Sequence, residues 1–523
     1  MPRSSRALAY AALLAVGLVV FGQVVRFGFV TADDTIYIAS NPHVSAWWQT
    51  PLRDRFLTLE FHYAMPVTLA SFALDWALWS GRAQGFHLTN LVLHLACAAL
   101  VLRILLREVR LGAALAGAFL FLLHPVQAEA VAFVTQRKDL LAAFFALLAL
   151  DALRAHGEVL RRRDVGWIVF CSAASALSKP TGAMVGLALA LAYFVWRRAH
   201  LVPALLAGVS LGVVALDMYI ARSVGQVVDL GPMSFARRAG FVGSTFTHYL
   251  GTLFVPVELA PRVVAPTTVD LVAIAVAAVF AVLVAMRLSW AIRRGEPRAT
   301  LIGAWLVFAY VPISNLVPIS RYAADAYLYV AMVGIAFAFA AGVERLLEWL
   351  AATSARRIAP VIVHGTLSLS FAVLALSCAV QTSVWRDEER LFGYIYLLLP
   401  TSQQAYEEYA DRLVRNGKRD EARRVELEFY TRAVATWPQS LGARQRLVHV
   451  HVTRGDLAAA RRTLDETPTA LRNLVGYWEA VLEWASAAQQ WNEALSAVRA
   501  IVTMQPMHPA RVRIPELEAK VKP

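Results

Sequence analysis

Long apolar runs recur from about residue 7 to residue 380 and then cease. An α-helix needs roughly 18 or more mainly apolar residues to cross a bilayer. The pattern predicts helices over 7–26, 86–106, 111–123, 140–153, 167–177, 182–195, 201–220, 269–288, 301–317, 327–347 and 361–380. That makes about eleven spans, several of them short. Basic residues gather on alternate connections: Arg107 and Arg110; Arg154 with Arg161, Arg162 and Arg163; Arg197 and Arg198; Arg293, Arg294 and Arg298; Arg356 and Arg357. Short cytoplasmic connections carry the excess of Lys and Arg. With Arg3 and Arg6 before the first run, the N-terminus is expected in the cytoplasm and the other connections outside. Met1 to Gln23 has the look of a signal peptide, but its run is long and no small-residue cleavage site follows, so it reads as an uncleaved first helix.

Two regions break the alternation. Residues 28–85 mix aromatic residues (Trp47, Trp48, Phe56, Phe61, Tyr63), charges (Arg53, Asp54, Arg55, Glu60) and a short apolar piece, Val67 to Trp79, with Pro66 and Asp75. They predict a first outer loop with helices lying along the membrane surface. Residues 222–266 form a second outer loop whose apolar stretch, Phe241–Val257, reads as re-entrant or interfacial; as a span it would invert everything after it.

Beyond Gln381 the pattern is helical but not membrane-like. Arg415-Asn416-Gly417-Lys418-Arg419-Asp420-Glu421-Ala422 matches Thr453-Arg454-Gly455-Asp456-Leu457-Ala458-Ala459-Ala460 and, more loosely, Ala488-Gln489-Gln490-Trp491-Asn492-Glu493-Ala494. Ala422, Ala460 and Ala494 fall near the ~34-residue period of tetratricopeptide helix pairs, and Pro438, Pro468 and Pro506 sit near repeat ends. About three such repeats are expected over 401–510. The predicted fold class is all-α: a polytopic helix bundle over 1–381, then a soluble α-solenoid over 382–523 on the outer side.

Composition agrees with this picture. The 523 residues are 58% apolar and 17% charged, with mean hydropathy +0.53. Net charge is +13, yet no basic block is interleaved with aromatics, so nucleic acid is not an expected partner. The basic residues are nearly all Arg, a bias that hints at a GC-rich bacterial genome. Cys97, Cys171 and Cys378 lie inside apolar runs, which argues against a disulfide framework or a zinc site.

The chemistry lies in polar clusters at the predicted outer ends. Asp33-Asp34 follows the first run directly, and carboxylates beside hydrocarbon are costly and usually kept for function. The plainer reading is that they stop the helix. Three more clusters are His124-Pro125 through Glu129 to Gln136-Arg137-Lys138-Asp139; Ser178-Lys179-Pro180-Thr181; and Ser314-Asn315-Leu316-Val317-Pro318 with Ser320, Arg321, Tyr322 and Asp325. A carboxylate can take a proton from an acceptor hydroxyl. Arg137, Lys138, Lys179 and Arg321 can hold a phosphate or pyrophosphate leaving group. Singly, each has a plainer explanation: Lys179 or Arg321 as a snorkelling anchor, Arg137 paired with Asp139. His87, Asn90 and His94 share one helical face, where hydrogen bonding between helices is favoured over a ligand role. His43, His62 and His124 are scattered, so a divalent metal is compatible but not indicated.

As an ordered set these residues resemble the transmembrane and tetratricopeptide-repeat O-mannosyltransferase-like proteins of the GT-C glycosyltransferase superfamily. The shared marks are Asp33-Asp34 with Asn41-Pro42, Phe86-His87-Leu88-Thr89-Asn90-Leu91-Val92-Leu93-His94, Leu123-His124-Pro125, Glu129-Ala130-Val131, Arg137-Lys138-Asp139, Ser178-Lys179, Ser314-Asn315-Leu316-Val317-Pro318, Tyr327-Leu328-Tyr329, and Trp385 before the repeats. The resemblance implies a polyprenyl-phosphate-linked sugar as donor and transfer, with inversion, to a protein or envelope-glycan acceptor on the outer face of a bacterial inner membrane. It implies that Asp33 or Asp34 is the catalytic base or orients the acceptor, and that Glu129, Arg137, Asp139 and Lys179 line the donor site. His124, Tyr322 and Asp325 are further candidates for lining the substrate cleft. The chain departs from the family's pattern at Ala64-Met65-Pro66-Val67, which lacks an Arg, at Pro180 where a Glu is usual, and at Ala326 where an Arg is usual, with Arg321 the candidate substitute. The competing expectations are a non-catalytic scaffold whose repeats bind a peptide or protein partner, and a transporter. A scaffold has no need of converging Asp33, Asp34, Arg137 and Lys179, and a transporter wants charges near mid-membrane.

Overall fold

In a computed structural model, residues 3–51, 64–155, 160–223, 234–259, 261–317, 319, 321–352 and 358–521 are described. The first-loop residues Arg53 to Tyr63, and Pro318, Ser320, Arg356 and Arg357, lie outside that set. The described residues are helical and contain no strand. The chain forms two compact units, Met1–Glu388 and Glu389–Pro523. The last helix of the first unit, Ala359–Val384, runs past the last apolar run, and the division into units falls after Glu388.

Every predicted run lies within or largely within a helix, but the runs are not alike. Among the described residues, seven helices are long and apolar enough to cross a membrane: Arg3–Arg26, Ala83–Leu105, Pro180–Arg197, Leu201–Ser223, Leu271–Arg294, Asp325–Ala351 and Pro360–Val384. Leu111–Leu123 and Pro297–Ile313 are apolar but shorter. The two remaining runs fall in Arg137–Ala155 and Arg162–Ala176, whose ends carry charges. Helices surrounded by protein can keep polar ends that lipid would not accept. Arg137–Ala155 is of that kind, buried along most of its length, whereas Leu271–Arg294 is almost wholly exposed and apolar.

The stretch Phe241–Val257 belongs mostly to a 20-residue helix, Phe235–Phe254. It packs closely on Leu271–Arg294: a Cβ on Gly243 would stand 2.7 Å from the backbone nitrogen of Ile274. In the first connection a helix, Pro66–Trp79, turns Asp75 into the protein. The expected face of polar residues on Ala83–Leu105 does tie helices together. His87 Nε2 donates to the Gly28 carbonyl (3.1 Å), and His94 Nε2 donates to Leu122 O (3.3 Å) while Nδ1 accepts from Tyr329 Oη (3.0 Å).

Charges segregate to the two ends of this unit. At one end Arg103 and Arg107 pair with Asp151 (3.1 and 2.9 Å), Arg110 with Glu344 (2.7 Å), and Arg154 and Arg298 with Glu108. The opposite ends of the same helices carry Asn90, Arg137, Lys179 and Asp325.

The second unit contains three helix–turn–helix pairs: Gln403–Arg415 with Arg419–Thr436, Leu441–Thr453 with Leu457–Asp465, and Val475–Ala487 with Trp491–Met504. Ala422, Ala460 and Ala494 are buried where the paired helices meet. The second and third pairs are joined by contacts at one spacing: Gln445 donates to Glu479 (3.2 Å) and His449 pairs with Glu483 (2.5 Å), 34 residues apart in each case. The turn in each pair needs a left-handed residue, supplied by Gly417 (φ +79°), Gly455 (φ +78°) and Gln489 (φ +58°). Nothing approaches a Cβ at Gly455, so Gly455→Ala tests backbone conformation alone. It is expected to cost about 1–2 kcal/mol, read as a lower melting temperature of this unit with the first unit's transition unchanged.

Candidate functional site

The polar end is built around one buried stretch. From His124 to Arg137 every residue is buried, in a short helix, Gln127–Ala132, and a tight turn, Val134–Gln136. Backbone and side-chain polar groups so placed must find partners inside the protein.

Thr135 and Arg137 meet the first connection. A single helical turn, Thr31–Asp34, follows the first helix. Asp34 is fully buried, and both its carboxylate oxygens are engaged. Oδ2 accepts from Val30 N–H (2.9 Å), and Oδ1 accepts from Thr135 N–H (3.1 Å) and Thr135 Oγ1 (2.6 Å). Burial pushes this carboxyl up to about 7, against the pull of those hydrogen bonds. Asp33 is exposed and makes no hydrogen bond to a described residue; its charge is felt at Arg321.

Arg137 is wholly buried. It pairs with Asp75 (2.5 Å) and donates to Asn90 Oδ1 (2.8 Å), Phe86 O (2.8 Å) and Ser71 O (3.2 Å), with its guanidinium 4.7 Å from the Phe72 ring centre. Its partner is thus Asp75 and not Asp139. So engaged, it braces the buried stretch and offers little to a ligand.

The other cations form a second group. Lys179, which precedes the helix Pro180–Arg197, has its Nζ 2.7 Å from both oxygens of Asp139 and 4.7 Å from the centre of the Tyr327 ring. Arg321 pairs with Glu129 (2.9 Å), donates to Pro261 O and lies 5.9 Å from the same ring. Gln136 donates to Glu129 as well (3.2 Å). Burial pushes the Glu129 carboxyl up, opposed by Arg321, and pushes the Lys179 ammonium down, opposed by Asp139. Neither cation is a snorkelling anchor. Lys138, half-buried over the Tyr37 ring at 5.4 Å, has no ion pair to a described residue. It is therefore the least engaged cation of this group.

Lys179 and Arg321, with their partners Asp139 and Glu129, thus meet at Tyr327, Lys138 lies over Tyr37, and the charge of Asp33 reaches Arg321. The remaining candidates are engaged by neighbours, and Asp325 lines a small cavity together with Glu129. His124 donates to Leu253 O (3.1 Å), and burial lowers its affinity for a proton. Tyr322 bonds Phe241 O (3.2 Å). Asp325 accepts from His248 (3.1 Å). Sequence reasoning missed Thr135, Asp75 as the partner of Arg137, and His248, which sits in the stretch read as interfacial. Trp385 stacks on Phe133, with ring centres 5.1 Å apart and planes at 19°. Among the described residues no group of three or more His, Cys, Asp or Glu side chains is arranged to hold a metal ion.

No protein-family model matches the chain. Over 175 residues it is 34% identical to protein O-mannosyl-transferase Tmtc2 of Drosophila melanogaster, covering 29% of this chain and 18% of that protein. Over 185 residues it is 29% identical to protein O-mannosyl-transferase TMTC4 of Homo sapiens, covering 29% and 25%. The chain thus spans no more than a quarter of the length of these relatives. Among solved structures, the apo oligosaccharyltransferase of Archaeoglobus fulgidus superposes with a TM-score of 0.44 at 12% identity, over 78% of this chain and 60% of that one. ArnT of Cupriavidus metallidurans bound to undecaprenyl phosphate gives 0.42 at 14%, over 95% and 80%. The resemblance to the transmembrane and tetratricopeptide-repeat O-mannosyltransferase-like proteins is thus matched by sequence similarity to several of them.

Two outcomes follow from the buried groups. Arg137→Met leaves Asp75 charged and buried without its partner, which is expected to cost about 3–5 kcal/mol, read by thermal unfolding in detergent. The Asp34 carboxyl is raised from an ordinary 3.8 to about 7 in the fold. Between those values the folded protein holds a proton that the unfolded chain releases, so this group's contribution to stability falls as pH rises through the window. The melting temperature of Asp34→Asn relative to the parent should therefore shift in the variant's favour from about pH 5 to about pH 8.

Proposed function

We propose that the chain is an integral-membrane glycosyltransferase of GT-C type. It takes a sugar from a polyprenyl-phosphate-linked donor and passes it, with inversion, to a hydroxyl of a protein or envelope glycan. The charge-rich end of the bundle is the outer face of a bacterial inner membrane, with the N-terminus cytoplasmic. The helix pairs of the second unit act as tetratricopeptide repeats outside it.

The observation that carries this reading is the solvent-exposed Asp33 beside a group of cations, in a chain similar to named O-mannosyl-transferases. Asp33 is the carboxylate free to meet a hydroxyl, because both oxygens of Asp34 are taken. The acceptor oxygen bonds to the anomeric carbon as the bond from that carbon to the phosphate oxygen breaks. The electron pair of the broken bond leaves with the lipid phosphate, and the acceptor's proton passes to Asp33. Charge growing on the phosphate is met first by Lys138. Lys179 and Arg321 add to this once the phosphate competes with Asp139 and Glu129 for them. No metal is required by this scheme, and none of its steps passes through one.

Acceptor recruitment falls to the second unit. Its groove of about 740 Å³ is lined by Tyr430, Trp437, Gln445, Arg446, His449 and Glu483. Aromatic faces, amides and both signs of charge suit an extended peptide.

Asp33→Asn should lower the turnover of sugar transfer about 10²–10⁴-fold, the usual worth of a general base. Lys138→Ala should raise the donor KM about tenfold, the value of a charge-assisted hydrogen bond. Transfer of labelled sugar from a lipid-phosphate donor to envelope material, by protein reconstituted in vesicles, measures both. Full activity of Asp33→Asn would sink the assignment.

A further inference from the structure

We propose that Thr135 is a positioning residue for sugar transfer, which sets the reactive Asp33 through the neighbouring Asp34. This rests on the glycosyltransferase reading above and assigns a task to a residue that touches neither donor nor acceptor in that scheme.

The two aspartates stand next to each other on one helical turn but in opposite surroundings. Asp33 faces solvent, and Asp34 is sealed from it. The turn Thr31–Asp34 runs directly into a five-residue π turn, Thr35–Ala39, and so short a helical segment does not hold itself in place in water. Its position must come from tertiary contacts. Asp34 makes one local contact and one distant one. One oxygen accepts from Val30 N–H, closing the turn on itself. The other takes both donors of Thr135, a residue 101 positions away in the sequence. At 2.6 Å the hydroxyl contact is the shortest of the three.

Thr135 is itself held firmly. It is buried in the tight turn Val134–Gln136. Immediately before it, the carbonyls of Phe133 and Val134 face the Asn90 amide (3.4 Å each). Two residues after it, Arg137 is bound to Asp75, Asn90, Phe86 and Ser71. Val134 packs with Ile38, Val44, Leu69, Phe72 and Phe86, so the same turn also supports the segment that follows the aspartates. Thr135 therefore fixes one end of a rigid link, Asp34 is the link, and Asp33 is the group it aims. Charge on Asp34 is disfavoured by its burial, and Asp33 raises that cost further. Donation from the Thr135 hydroxyl offsets part of it and keeps Asp34 turned inward, so that the solvent-facing carboxylate remains Asp33.

The test compares Thr135→Val, which keeps the shape and the N–H but loses the hydroxyl, with Thr135→Ser, which restores it. The full chain is reconstituted in vesicles with a short-chain polyprenyl-phosphate mannose and a Thr-containing peptide. Thr135→Val should lower kcat about 10–100-fold, as a misplacement of about 1 Å does, with the acceptor KM within about twofold, and Thr135→Ser should recover most of the rate. A second measurement does not depend on turnover. Modification of exposed carboxyls by a water-soluble carbodiimide and glycine ethyl ester, mapped by mass spectrometry, should label Asp33 and spare Asp34 in the parent and in Thr135→Ser. In Thr135→Val, Asp34 should become labelled. Equal kcat in Thr135→Val and the parent, or Asp34 still protected in Thr135→Val, overturns the positioning role. A parent that shows the expected labelling but transfers no sugar to any hydroxyl acceptor overturns the functional reading instead.

Discussion

Everything at the polar end of the bundle answers to one constraint: the stretch His124–Asp139 carries broken helix and four charges through the interior of the protein. Irregular backbone at such a place is tolerated only when protein surrounds it and satisfies it. The surrounding pieces can be read as that satisfaction. Asp75 and the Phe86 carbonyl answer Arg137, Asn90 answers the carbonyls of Phe133 and Val134, Arg321 answers Glu129, and Lys179 answers Asp139. Asp34 and Thr135 answer each other. Five separate segments are drawn to one place because none of these groups can be left alone there without a penalty of several kcal/mol.

That constraint also shapes what the site can do. Lys179 and Arg321 would be expensive as bare buried cations, so each is held by a carboxylate. Such pairs are nearly neutral in the resting protein, yet a phosphate beside them meets guanidinium and ammonium donors already oriented. The cost of desolvating the cations has been met during folding, and an incoming anion has only to compete with Asp139 and Glu129. Tyr327 lies against both cations and keeps them side by side. Lys138 differs in having no ion pair to a described residue, which suits a first contact.

Much of the helix order was legible because membrane spans leave long apolar runs and asymmetric charge. The basic residues of alternate connections do meet at one end, as in the pairs of Arg103, Arg107, Arg110, Arg154 and Arg298. Leu111–Leu123 and Arg162–Ala176 were readable as helices but are shorter than an apolar span requires, since neighbouring helices and not lipid surround much of them. The site was legible as a set of residue types, not as a set of pairs. Arg137 and Asp139 are close in sequence, but residues two apart on a helix point in different directions, and so each found its partner on another segment. Asp75 looked like a reason to lay its helix on the membrane surface, when burial against Arg137 gives it a place inside. Thr135 carried no signal at all, because a threonine is ordinary anywhere and its value here comes only from the carboxylate brought to it by the fold.

For the proposed transfer, a single carboxylate would serve poorly at this spot. A base must be exposed enough to stay ionised and to reach a hydroxyl. Exposure on so short a helical segment leaves it without a fixed direction, and a misplacement of about 1 Å can cost about 10²-fold in rate. One residue cannot be both free and fastened. With Asp34 buried and bonded on both oxygens, the turn is fastened next to the group that must stay free. The rise of the Asp34 carboxyl to about 7 is what that fastening costs. It is also why the anchor needs the Thr135 hydroxyl and two backbone N–H groups rather than burial alone: without donors, a carboxylate in that place would take up a proton or turn out to solvent, and the turn would lose its hold.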